Sequence, residues 1–472
     1  MNVQAHTINK LMAIVMLFLA GSCTDYYKTK IAGVKISFPG NNVLNVQVEV
    51  NTADTVNASI KCWMVGQEEK PFVLQMSEPN KNHRFLLTNL KPGQQYVFNI
   101  ITSRDRITDV SGDYFFRTID YPRGIKDTFQ VVCADTSALP AVFRNGYVMV
   151  HRRESPGLIL LLNSQGNIVW YHQLKDAGFK VVHFTKNQNF LCLLGTKEYE
   201  TSYGNAILEL SLTGDTLLHL KKGQNDFKQT LHHEIILNPK NEIVTLCVEE
   251  RIFDLRAKGG LAKDTVRGDG ILVLDRQGRK IWKWTVFDAL DPLMDETILQ
   301  NKKDWMHANS VSFDKDGNYL VSFYNNGQIW KIDAITGSVI WKFGKNGDFE
   351  MPAGADFDQA HAVHVNERGW IMFFDNGASN KLSRSLAFVL NETEKKAHIV
   401  INTWLPPQLF TDRMGSSYLV NDTTLLQCAS RHKTVALTNF NGKSLWELRS
   451  NRIMSYRAEF ISNEKLAPYL DN

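Results

Sequence analysis

The 472-residue chain is long enough for two or three domains, or for one small domain and one large repeat architecture. Hydrophobic residues make up 43% and charged residues 22%, ordinary values for a globular protein. A net charge of only +4, with no basic run, gives no footprint for nucleic acid and excludes that class of partner.

Residues 1–23 read as a leader. Lys10 precedes the apolar run LMAIVMLFLA, which is too short to span a bilayer and has the shape of a signal-peptide core. Ala20-Gly21-Ser22 before Cys23 resembles a bacterial lipobox. That resemblance implies that Cys23 becomes the lipidated first residue of the mature protein. The protein would then be membrane-anchored in the bacterial cell envelope, facing the periplasm or the cell surface, and the polar stretch TDYYKTK would act as a tether. Removing Cys23 leaves Cys62, Cys133, Cys192, Cys247 and Cys428, an odd number with no CxxC pair. These read as scattered buried thiols, not as a disulfide framework or a metal cluster.

Residues 31–118 contain seven short β-type runs: VKISF, NVQVEV, ASIKCWMV, PFVLQM, RFLLTNL, YVFNIITS and DYFFRT. Their number and spacing fit a small β-sandwich. Leu90-Lys91-Pro92-Gly93-Gln94-Gln95-Tyr96 resembles the L-x-P-G-x-x-Y stretch of fibronectin type III domains, which would place Trp63 in the sandwich core. Tyr121-Pro122-Arg123-Gly124 reads as a linker.

From residue 125 onward the chain repeats. The clearest copy is residues 304–344: HANSVSF, a D-K-D-G-N turn, YLVSF, an N-N-G turn, QIWKID, an I-T-G turn and SVIWKF. Four antiparallel strands in about 40 residues make one propeller blade. Its second half, strand–turn–strand, recurs six times, starting at Gly157, Asn205, Gly270, Gln328, Ser385 and Lys433, and five of the six end in Trp with a nearby aromatic or apolar partner. The expected fold is therefore all-β: a six-bladed β-propeller over 125–472, preceded by the sandwich. The ring would be stapled by strands from the 128–150 segment and from the C-terminal part of the chain, because an open edge strand invites aggregation.

The first half of the template recurs as well. Eight positions back from Asn241, Gly317 and Gly369 stand His233, Asn309 and His361, with His307 two residues before Asn309. Equivalent positions on inner strands face the central channel. Each histidine alone reads as a satisfied half-buried side chain; their coincidence across blades reads as a site. Three imidazoles and an amide could bind a metal through nitrogen. Alternatively, one histidine could act as a nucleophile while the others bind a developing anion.

The blades resemble those of the bacterial arylsulfotransferases that work without phosphoadenosine-phosphosulfate. The resemblance rests on Leu231-His232-His233-Glu234-Ile235, Asp304-Trp305-Met306-His307-Ala308-Asn309-Ser310, Ala360-His361-Ala362-Val363, Phe374-Asp375-Asn376-Gly377 and Ser383-Arg384. It implies a six-bladed propeller without metal or other cofactor. Its small-molecule partners would be an aryl sulfate and a phenol, and a sulfuryl group would pass between them through a sulfohistidine. By matching position His361 would be the nucleophile. His233, His307 and Asn309 would hold sulfuryl oxygens or manage the phenol proton. The family's arginine in the second strand of the template blade is replaced by Leu320-Val321-Ser322-Phe323-Tyr324, leaving Arg431 or Arg384 to supply the cation from another blade.

Two other classes compete. Ile332-Asp333-Ala334-Ile335-Thr336-Gly337-Ser338-Val339-Ile340-Trp341 resembles the tryptophan-docking repeat of quinoprotein dehydrogenases, although those have eight blades. A propeller without catalysis, binding a glycan or another ligand at the cell surface, is supported by the missing arginine. Nothing in the sequence opposes a homodimer.

Overall fold

The computed structural model describes residues 28–470 apart from 40, 123, 200 and 201. Cys23 with the leader, and Arg123 of the expected linker, lie outside the described residues.

The N-terminal unit has seven strands, but they do not follow the seven runs. NVQVEV and ASIKCWMV fuse into one strand, Val46–Met64. Its first half pairs with Ile31–Ser37 and Asn80–Leu87, and its second half with Gln95–Arg104 and Phe72–Val73. Ile107–Val110 and Tyr114–Arg117 complete the set on Gln95–Arg104. Strand alternation then decides the core. Val46, Val48, Val50, Ala58, Ile60 and Cys62 point inward against Phe85, Tyr96, Phe98 and Ile100. Trp63, one position out of phase, is half-buried on the other face with Lys61 over its ring, so it is Cys62 and not Trp63 that fills the core. The Tyr96 hydroxyl accepts the Lys91 amide at 2.9 Å, the corner expected of an L-x-P-G-x-x-Y stretch.

The rest of the chain forms six four-stranded antiparallel blades, two of them carrying an extra strand. Blade 2 is Gly178–Phe184, Asn189–Gly195, Ala206–Ser211 and Thr216–Lys221. Blade 3 is Leu231–Leu237, Ile243–Phe253, Asp264–Leu274 and Lys280–Thr285, with Tyr203–Gly204 paired to its inner edge. Blade 4 runs Ala308–Phe313, Tyr319–Phe323, Gln328–Ile332 and Val339–Gly344. Blade 5 runs Ala360–Val365, Ile371–Asp375, Arg384–Asn391 and Lys396–Trp404.

The ring is closed twice. Blade 1 takes Tyr147–Arg152, Gly157–Asn163 and Ile168–Leu174 from the start of the repeat region, but its inner strand is Ala458–Ile461. Blade 6, Ser416–Asn421, Thr424–Ala429, Thr434–Asn439 and Ser444–Ser450, gains Phe129–Val132 as a fifth outer strand. Each terminal segment thus covers an edge that the other end of the chain would leave open. The blade aromatics seal the seams: Trp170 Nε1 donates to Leu212 O at 2.8 Å across blades 1 and 2, and Trp446 Nε1 to Ser164 O at 2.8 Å across blades 6 and 1. Gly337 sits at φ 76° with Trp284 of blade 3 pressed so close that a Cβ would lie 2.9 Å from the indole.

The N-terminal unit docks on blade 1. Val43 and Leu44 enter the same core as Leu158, Leu160 and Tyr171, and the Tyr171 hydroxyl accepts the Val43 amide at 2.9 Å. The C-terminal helix Asn463–Leu470 completes the joint, with Tyr469 accepting Asn45 Nδ2 at 2.8 Å.

Candidate active site

Inner strands begin irregularly where the functional residues lie. Register shifts fall between His232 and Ile235, between Ala308 and Ser310, and between His361 and His364. His233, Met306, His307 and Ala362 adopt φ of 58°, 72°, 54° and 53°. None is glycine, so each left-handed residue costs on the order of 1–3 kcal/mol and is held there by its surroundings. A bulge re-aims the side chains beside it. In blade 3 the displaced Glu234 carbonyl is caught by Thr245 Oγ1 at 2.7 Å.

These bulges gather three of the four expected residues. The ring of His233 packs edge-on against His307, centroids 4.9 Å apart, and against His232 at 5.1 Å. Tyr324 packs edge-on against His307 at 5.4 Å and against His361 at 5.5 Å, so it stands between them. Tyr456 closes the group 6.1 Å from His233. A cavity of about 450 Å³ adjoins it, with Tyr203 in its wall; Tyr203 also packs on His232 at 5.7 Å.

The fourth residue, Asn309, is fully buried and plays a different part. Its Nδ2 donates to Ala360 O at 3.0 Å, and its Oδ1 accepts from Ser322. Ser310 Oγ in turn accepts the Val363 amide at 3.1 Å. Asn309 and Ser310 together therefore stitch blade 4 to the backbone on either side of His361, and the Asn309 backbone carbonyl accepts from Arg457.

The environments drive the histidines apart in charge. His361 is buried; desolvation, with the His307 and Arg457 charges, pushes it down to about 3. It is a neutral imidazole at any physiological pH. Neither its Nδ1 nor Asn376 Oδ1 has a hydrogen-bond partner. Asn376 Nδ2 donates to Thr411 O at 2.7 Å and Met414 O at 2.9 Å, which fixes that amide with its oxygen free for His361. Asn376 and the Gln359 backbone favour a proton on the His361 ring, but burial outweighs them. His233 is held well below its ordinary value by burial and by His307, and His232 by burial to about 4. Their Nδ1 atoms are 2.9 Å apart, one donating to the other.

His307 is the opposite case. Burial disfavours its charge, but the 2.6 Å bond from Nδ1 to Asp304 Oδ2 overcomes this and raises it. Burial would raise Asp304, yet the same bond holds it below the usual carboxylate range. The cluster thus sets a neutral imidazole across Tyr324 from one whose protonated form is favoured.

A second cation was not anticipated from the sequence. Arg457 is buried; its Nη1 donates to Glu234 Oε2 and its Nη2 to Asn309 O at 3.1 Å. Glu234 Oε1 also takes His183 Nε2 at 2.6 Å, and His183 Nδ1 meets Glu459 Oε1 at 2.5 Å. Burial opposes a charge on His183, but the two carboxylates lift it to about 10. Two cations and two anions thus tie the closing strand of blade 1 to the inner strands of blades 2 and 3.

The other two expected cations are elsewhere engaged. Arg384 is buried on blade 5, with Nε on Asp375 at 3.0 Å, Nη1 on Gly354 O at 2.9 Å and Nη2 on Asp356 O, under Trp404. It holds the 354–356 loop and has no face toward the histidines. Arg431 is exposed on the blade 6 turn Ser430–His432, its Nε 3.2 Å from Asp412 Oδ1. Asp412 O accepts the Tyr324 hydroxyl at 3.1 Å, so Arg431 borders the cluster without entering it. Among the described residues no three His, Cys, Asp or Glu side chains converge in metal-ligand geometry.

The chain resembles several solved structures at low identity. A protein of unknown function from Bacteroides caccae is 13% identical, covering 67% of this chain and 99% of its own, with a TM-score of 0.43. An auxiliary nutrient binding protein from Bacteroides thetaiotaomicron is 8% identical, covering 90% and 85%, with a TM-score of 0.34. Virginiamycin B lyase from Staphylococcus aureus is 9% identical, covering 68% and 99%, with a TM-score of 0.32. No curated protein matches the chain. The family model of the arylsulfotransferases (ASST) matches residues 135–434, which carry the histidine cluster and five of the six inner strands. The chain belongs to the arylsulfotransferase family.

Proposed function

We propose that the protein transfers a sulfuryl group from an aryl sulfate to a phenol through a sulfohistidine at His361. The observation that carries this is the pairing, across Tyr324, of a buried, neutral His361 with a His307 whose protonated form Asp304 favours. In the first half-reaction Nε2 of His361 attacks sulfur. The N–S bond forms as the S–O bond to the aryl group breaks, and the departing phenolate takes the Nε2 proton of His307. In the second, the acceptor phenol attacks the sulfohistidine. The S–O bond forms, the N–S bond breaks, and the phenol proton goes to the now neutral His307. One group acts first as acid and then as base, as a reversible two-step transfer requires.

Negative charge on the sulfuryl oxygens needs fixed donors, as in phosphoryl transfer. His307 supplies one before it is deprotonated, and His233 lies against it. Arg457 offers a fixed positive field from the closing strand, in place of the arginine missing from blade 4. The bulges serve this arrangement by turning three inner-strand starts toward one point. The leader reading adds that the enzyme works in the cell envelope, anchored through a lipid on Cys23.

The test is incubation of the protein with para-nitrophenyl sulfate, with and without phenol. Phenol-dependent release of nitrophenol, lost in His361→Asn, supports the reading. Release that does not respond to phenol would make the protein a hydrolase, and no release would leave a binding propeller.

A further inference from the structure

Two buried cations at the channel have no part in the chemistry above. Lys180 is the residue skipped by the register shift between Phe179 and Val181 in the inner strand of blade 2. It stands eight positions before Gln188, a turn residue at φ 60°, as His233 stands before Asn241. Lys180 thus holds the ring position that His233, Asn309 and His361 hold in their blades. It is 4% exposed, and its Nζ makes one hydrogen bond, to Tyr199 O at 3.4 Å. Arg153, just beyond the blade 1 strand Tyr147–Arg152, is 2% exposed. Its guanidinium lies 5.4 Å from the Tyr456 ring, and its buried Nε has no hydrogen-bond partner among the described residues. Neither cation lies in ion-pair distance of a described carboxylate.

That state is unfavourable. A buried charge is ordinarily paired, as Arg457 is with Glu234. Here burial disfavours the charge on both, and Arg153 adds to this at Lys180, while the carboxylate of Glu154, beyond ion-pair distance, offsets it only in part. A folded protein keeps such a pair where an anion completes it. The surroundings say where that anion belongs. Tyr456 stacks under Arg153 and also packs against His233. The cavity of about 450 Å³ has Tyr199, the partner of Lys180, and Tyr203, the neighbour of His232, in the same wall. Blade 2 faces blade 5 across a six-bladed ring, so the pair lies across the channel from His361.

We infer that Arg153 and Lys180 form a second anion subsite, which takes an acidic substituent of the phenolic substrate while its sulfuryl or hydroxyl group sits at the histidines. This rests on the reading of the histidine cluster as a sulfuryl-transfer site. It makes acidic phenols, and sulfate esters of acidic phenols, the substrate class. A carboxylate fits the guanidinium through paired N–H donors and the ammonium as a point charge.

The test is calorimetric titration of the full chain, independent of turnover. The probes are para-hydroxyphenylacetate as acceptor, its sulfate ester as donor, and the methyl ester of each. The acids should bind at least about tenfold more tightly than their esters, the effect of a charge-assisted hydrogen bond. Arg153→Met and Lys180→Met should each bring the acid-to-ester ratio toward one, and Arg153→Lys should keep part of it. Preference for the acid in only one of the two probe pairs would assign the subsite to donor or to acceptor. Neither Met variant should melt below the parent, because each removes an unpaired buried charge. Equal affinity of acid and ester, no binding of either acid, an unchanged ratio in both Met variants, or lowered melting of both would overturn the inference. Turnover of para-nitrophenyl sulfate with plain phenol is scored separately. Acid preference without any transfer would keep the subsite and defeat the transferase reading, and transfer without acid preference would do the reverse.

Discussion

Replacing Glu234 by Gln perturbs the molecule at the point where closure and chemistry meet. The substitution keeps shape and removes charge. Glu234 accepts one charge-assisted bond from His183 Nε2 and another from Arg457 Nη1, and all three side chains are largely buried. Each such bond is worth about 1.5–3 kcal/mol, so losing the charge of the shared acceptor should cost about 3–5 kcal/mol, the range found when one partner of a buried pair is removed. The assay is equilibrium denaturation of parent, Glu234→Gln, and the double variant Glu234→Gln with Arg457→Met. The double variant should be more stable than the single one, since it no longer buries an uncompensated guanidinium. The pH dependence follows from the same network. His183, raised to about 10, contributes stability that is full below its ordinary value near 6.5 and is lost as pH rises through about 10. Glu234, held below its ordinary value despite burial, contributes stability that is lost as pH falls into the acid range. A single-variant cost under about 1 kcal/mol, or a double variant no better than the single, would refute the argument that buried charge balance staples the ring.

Asp304→Asn removes the group that keeps His307 protonated, so the alkaline limb of kcat/KM for the aryl sulfate should move to lower pH, read from a pH–rate profile. An unmoved limb would take His307 out of the acid role. Asn309→Ala breaks the stitch from Asn309 to Ala360 and Ser322, and should cost about 1–3 kcal/mol in denaturation. It should also lower kcat more than it raises KM, because the residue positions His361 without touching substrate. Cys23→Ser should release the protein from the membrane fraction into the soluble one; retention in the membrane would end the lipobox reading.

The blades were legible because their turns are chemical: Asn, Asp and Gly recur at fixed offsets, and Trp or another aromatic ends most hairpins. The histidines were legible for the same reason, since counting from turns fixes which residues begin an inner strand. What counting could not supply was the bulges. His233, His307 and Ala362 take left-handed backbone without being glycine, so nothing local marks them. They move Asn309 out of the role that regular strand register implied and into the seam between blades. Arg457 was missed because its strand belongs to blade 1 while lying at the far end of the chain, so comparing contiguous hairpins never aligned it. Lys180 did carry a signal, the same offset from Gln188, but Gln188 stands at the turn position where the others have Gly or Asn. Trp63 failed on parity: fusing two runs into Val46–Met64 put Cys62 inside.

The central claim is that His361 carries the sulfuryl group covalently. Purified protein exposed to an aryl sulfate without acceptor, quenched and mapped by peptide mass spectrometry, should show one added SO3 on the peptide containing His361. The adduct should disappear when a phenol is added and be absent from His361→Asn. An adduct on His233 or His307, or full phenol-dependent turnover in His361→Asn, would contradict the account.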